Sequence, residues 1–101
     1  MKAPNIKTVK RIFSEEDYGK PISEKLSIIL RRNTTKDDFA NVATRTNISF
    51  STIRDVVYRT NSLTKSNSKA INALIKVAFD NSLALQLQAE GDKIFLNGFL
   101  N

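Results

Sequence analysis

The sequence predicts a mainly α-helical protein, a compact bundle of four to five helices finished by a small C-terminal β-hairpin. Three observations carry this. Apolar residues recur at three- and four-residue intervals through most of residues 22–80. Capping residues precede these stripes and polar stretches separate them. From Leu83 onward the period falls from the helical value to two.

The elements follow in order. "NIKTVKRIFSEEDYGKP" spaces Ile6, Val9 and Phe13 at helical intervals, with Lys7, Lys10 and Arg11 mostly on another face. Residues 1–21 therefore fit a short basic helix or an ordered arm, closed by Gly19-Lys20-Pro21. Ser23 is placed to cap "SEKLSIILRR", whose Leu26, Ile29 and Leu30 form one apolar stripe. Thr35 and Asp38 have the spacing of a capping box ahead of Phe39, Val42 and Ala43. Ser49 caps a further helix in which Ile53, Val56 and Val57 point one way. After a polar connection, "SKAINALIKVAFDN" carries Ile71, Leu74, Ile75 and Ala78, with Asn81 as its expected terminator. In "SLALQLQAEGDKIFLNGFL" leucines 83, 85 and 87 alternate with smaller or polar residues and "AEGD" supplies a turn. Residues 82–101 read as a hairpin, or alternatively as a short helix through Leu83 and Leu87. They belong to the same domain as residues 22–81, the helical body.

Composition narrows the function. With 41% hydrophobic and 26% charged residues, the 101-residue chain suits one folded domain with a modest core. It has no cysteine and no histidine, which removes disulfides, thiolate metal sites, and the commonest general base and transition-metal ligand. No serine has a histidine to activate it, and the glycines at 19, 91 and 98 are too scattered to cradle a phosphate. The expectation is a protein that is not an enzyme, with no cofactor and no metal. "SEED" at 14–17 and the pair Asp37-Asp38 lack calcium-loop spacing and read as solvated or helix-capping carboxylates. No apolar run approaches the roughly 18 residues of a membrane span, and the N-terminal stretch lacks a signal-like apolar core. A cytoplasmic protein without a membrane partner is expected.

The formal charge is +6, and residues 22–65 carry eight Lys/Arg against four Asp/Glu, whereas residues 66–101 carry three against three. A basic front and a neutral tail suit a polyanionic partner.

One stretch gives that partner a shape. In "NVATRTNISFSTIRDVV", residues 41–57, an amphipathic helix breaks at a polar Thr-Asn and restarts at once. Ala43 is small enough to sit under a crossing helix, Asn47 tolerates a left-handed backbone, and Ile48 can plug the turn into the core. With Val42, Ala43, Ile48, Ile53 and Val56 so placed, the stretch resembles the phage repressor and Cro-type helix-turn-helix DNA-binding family. The resemblance spans about residues 22–80. It departs at Asn47, where the family most often has glycine, and at Thr46, where it prefers an apolar residue.

The resemblance implies sequence-specific binding of double-stranded DNA, as in a transcriptional regulator, with residues 49–59 as recognition helix. Base contacts fall to Phe50, Ser51, Arg54, Asp55 and Tyr58, among which Arg54 suits guanine and Phe50 a thymine methyl. Asp55 must accept from a cytosine amine or hold Arg54 or Arg59 in place. Phosphate contacts fall to Thr34, Thr35, Lys36, Arg45, Ser49, Arg59, Lys65 and Lys69. The rival reading is a protein-interaction module or assembly subunit on the same scaffold. RNA binding ranks below both, since no exposed aromatic platform is evident. The hairpin either closes the monomer's core or pairs its edge with a twin in a homodimer.

Overall fold

The structure, a computed structural model, describes residues 13–100. The proposed arm or basic helix of Ile6, Val9, Lys7, Lys10 and Arg11 lies outside the described residues. A short 3-10 turn at Glu15–Asp17 opens the described chain, and there the Ser14 amide donates to Asp17 Oδ2 at 2.8 Å. Four α-helices follow: α1 Glu24–Asn33, α2 Lys36–Thr46, α3 Phe50–Val57 and α4 Ser68–Leu100.

The first three helices start where short polar side chains can satisfy amide groups that no intrahelical carbonyl reaches. Ser23 Oγ accepts from the Leu26 amide at 3.1 Å, and Ser49 Oγ from the Thr52 amide at 3.1 Å. At α2 both halves of a capping box form: Thr35 Oγ1 accepts from the Asp38 amide at 3.2 Å, and Asp38 Oδ2 from the Thr35 amide at 3.0 Å. α1 is tied off by Thr34, whose hydroxyl donates to the Leu30 carbonyl at 2.6 Å.

Two non-glycine residues in the left-handed region end α2 and α3. Asn47, at φ 62° and ψ 31°, closes α2 by donating its amide to the Ala43 carbonyl at 2.9 Å. Arg59, at φ 65°, closes α3 as a Schellman motif, in which the Thr60 amide reaches the Asp55 carbonyl at 2.8 Å and the Arg59 amide the Val56 carbonyl at 3.1 Å.

The core draws one stripe from each helix and two residues from the connections: Leu30, Phe39, Val42, Ile53, Val56, Val57, Ile71, Leu74 and Ala78 bury together with Ile22 and Leu63. α4 packs across all three preceding helices. Ile48 leans on this cluster from the α2–α3 turn, half-buried, as a plug for the turn.

The C-terminal hairpin is overturned. Among the described residues there is no strand, and residues 82–100 continue α4 without a break. The period-two reading of Leu83, Leu85 and Leu87 fails because "LALQLQAE" is built of strong helix formers and holds no β-branched residue. Once α4 is nucleated and packed over Ser68–Ala78, each added residue gains a hydrogen bond at low entropic cost, so propagation outweighs a local alternation. "AEGD" makes no turn, and among the glycines only Gly19 has a positive φ. Asn81 does not terminate the helix either. Its side-chain amide instead donates to the Asn33 carbonyl at 2.9 Å and to Asp38 Oδ2 at 3.2 Å, tying α4 to the junction of α1 and α2. No helix among the described residues is long and apolar enough to cross a membrane.

Candidate functional site

α2 and α3 are joined by only Asn47, Ile48 and Ser49, so the left-handed Asn47 sets how the chain reverses into α3. On α3, Ile53, Val56 and Val57 are fully buried. At 100° per residue the opposite face then falls to Ser51, Arg54 and Asp55, of which Ser51 and Arg54 are exposed and Asp55 half-buried.

That face borders a cleft of about 510 Å³ between α3, the end of α1 and the start of α2. Phe50, Arg54, Asp55 and Tyr58 line it from the α3 side, and Thr34, Thr35 and Lys36 from the α1–α2 junction. The structure thus brings together seven of the residues that the sequence singles out, in one concavity that mixes the expected base-reading and phosphate-reading groups. Its floor is aromatic: the Phe50 and Phe39 rings lie 5.8 Å apart, centroid to centroid, at 49°. Phe50 is half-buried rather than a free side chain.

Three cations, Arg31, Lys36 and Arg54, face one carboxylate, Asp55, around the cleft. Asp55 is engaged, because Arg54 Nη2 and Nε approach its Oδ1 at 3.1 and 3.2 Å. The awkward carboxylate therefore holds the guanidinium beside it, one of the two roles expected of it. Thr35 and Lys36 bring the first turn of α2 to the cleft margin, where unreached amide N–H groups and the helix dipole favour an anion.

Two contributors escaped the sequence reading. Arg31 stacks over the Tyr58 ring at 5.0 Å from its centroid and lines the cleft, as does Thr60. The available signal for Arg31 was its position near the end of α1, four residues before the α2 cap. Thr60 gave no signal, because only the left-handed Arg59 turns the chain back toward the cleft.

The other expected residues lie apart from it. Ser51 sits with Ser49 and Thr52 in a hydroxyl cluster at the start of α3, with Ser49 Oγ 3.3 Å from Ser51 Oγ and 2.8 Å from Thr52 Oγ1. Arg45 is exposed in the last turn of α2 and Lys69 in the first turn of α4. Lys65 pairs with Glu15 at 3.4 Å and borders a second cavity with Phe13 and Tyr18. Arg59 differs most from expectation. α3 ends at Val57, so Arg59 is beyond the helix, and its Nε donates to the Ile22 carbonyl at 2.7 Å. It serves as a brace between the α3 exit and the α1 entry.

Among the described residues no group of three or more acidic side chains could hold a metal ion. No family model matches the chain, and the searches against curated proteins and against solved structures found no match either.

Proposed function

We propose that the protein binds double-stranded DNA sequence-specifically, laying α3 in the major groove as the recognition helix of a helix-turn-helix unit, in the manner of a transcriptional regulator. The reading is carried by one observation: a three-residue turn opened by the left-handed Asn47 joins α2 to an α3 whose outward face lies beside a cleft rimmed by Arg31, Lys36 and Arg54. Arg54 is the base-reading residue, suited to a bidentate pair with guanine worth about 1–3 kcal/mol of discrimination. Ser51 and the half-buried Phe50 supplement it, and Thr34, Thr35 and Lys36 hold the phosphates that fix register. Arg31, braced on Tyr58, joins the phosphate set.

Selection from a random duplex pool, followed by a salt titration on the enriched sequence, tests this. The expected outcome is a defined consensus and an affinity that falls with log[salt] by a slope of about 0.9 per phosphate contact. A pool that yields no consensus, with duplex binding no tighter than millimolar at low salt, would instead favour the protein-interaction module.

A further inference from the structure

We infer that Asn81 is a positioning residue for the duplex-binding site proposed above, on which reading this role rests. Asn81 is absent from the walls of the cleft, as is the whole of α4. Its side-chain amide nevertheless sends both of its N–H groups into the junction of α1 and α2, one to the Asn33 carbonyl at 2.9 Å and one to Asp38 Oδ2 at 3.2 Å. These two acceptors bracket Thr34, Thr35 and Lys36, the three residues that line the cleft from that side.

Each acceptor has a reason to need the donor. Asn33 is the last residue of α1, where a carbonyl has no intrahelical partner. Asp38 Oδ2 already accepts from the Thr35 amide at 3.0 Å in the α2 capping box, and Asn81 fills the remaining lone pair of the same oxygen. The carboxylate that caps α2 is thereby held from outside its own helix, and Thr35, which depends on it, is held in turn. Both bonds are partly buried, which limits competition from water.

The donor is fixed as firmly as the junction it serves. Ala78 and Leu74, one and two turns upstream, are buried in the core, whereas every residue from 82 to 100 is exposed. Asn81 is therefore the last point at which the described part of α4 grips the body. Asparagine is a poor residue for the interior of a 33-residue helix, a local cost that the two bonds offset. Across the cleft, Arg54 stands on α3, whose Ile53, Val56 and Val57 bury in the same core as Leu74 and Ala78. The span between the phosphate-reading rim and the base-reading Arg54 is thus set in part through Asn81.

Asn81→Ala in the full chain tests the role, because alanine removes both donors yet is the better helix former and leaves α4 intact. At a temperature where circular dichroism shows the variant fully folded, it should bind every duplex roughly five- to tenfold more weakly, as residues that act on a site without touching its ligand do. Base preference should be kept, and the salt slope should fall by about 0.9, the contribution of one phosphate contact. In a Lys36→Ala background the same substitution should change affinity less than about twofold, since the contact it positions is already gone. Amide NMR supplies a reading without DNA: the Thr35 and Asp38 signals should shift in Asn81→Ala while those of Arg54 and Asp55 stay. Unchanged affinity and slope overturn the positioning role, as do losses that multiply in the double variant or Thr35 and Asp38 signals that stay in place. A natural protein that binds no duplex is a separate outcome, which takes down the DNA-binding reading and this role with it.

Discussion

The hydroxyl of Ser27, buried on α1, donates to the Val57 carbonyl at 2.6 Å across 30 positions of sequence. Val57 is the last residue of α3, where carbonyls lack intrahelical partners, so this bond helps fix the exit of α3 against α1. Ser27→Ala leaves a buried carbonyl unsatisfied and should cost about 1–3 kcal/mol in chemical denaturation. A loss under ~0.5 kcal/mol would show that the bond does not hold the helix.

Asn47 carries the turn on a left-handed backbone. Asn47→Ala should destabilise by about 1 kcal/mol, because a Cβ without a compensating side-chain amide is disfavoured there. Asn47→Gly should stay within ~0.5 kcal/mol of the natural protein, its backbone freedom offsetting its greater unfolded-state entropy. Equal destabilisation by both would place Asn47's contribution in its side chain rather than in its φ.

Arg59 separates brace from DNA contact. Arg59→Ala should lower stability by about 1–3 kcal/mol, through loss of the charged hydrogen bond to Ile22, while leaving the salt slope of duplex binding unchanged. Arg59→Gly should be less damaging, since it loses the same hydrogen bond but relieves the left-handed backbone that Arg and Ala both strain. A salt slope reduced by about one in Arg59→Ala would return this residue to the phosphate contacts.

Arg54, Asp55 and Lys36 test the cleft. Arg54→Ala should relax preference at one base position, whereas Lys36→Ala should weaken all duplexes alike and reduce the salt slope by about one. Asp55→Asn removes the carboxylate that holds Arg54 and opposes phosphate. It should barely alter stability, given that exposed pairs contribute roughly 0–1 kcal/mol, yet change both affinity and base preference in a binding selection. Uniform loss on every sequence for Arg54→Ala would remove it from base readout.

What the sequence by itself determined was local: three helix starts, at Ser23, Thr35 and Ser49, and the left-handed residue at Asn47. These depend on side chains within four residues of the groups they satisfy, and the apolar stripes of α1 to α3 follow from the same short-range spacing. Tertiary structure decided what depends on distant partners. Arg31 over Tyr58, Arg59 on Ile22, Ser27 on Val57 and Asn81 on Asn33 join positions 27 to 48 residues apart. No periodicity encodes such pairs. The fate of residues 82–100 was also decided beyond its own pattern, because the alternation of three leucines competes with a helix already nucleated and packed upstream. The packed helix wins, since extending it forms one hydrogen bond per residue whereas a new hairpin must first close its turn.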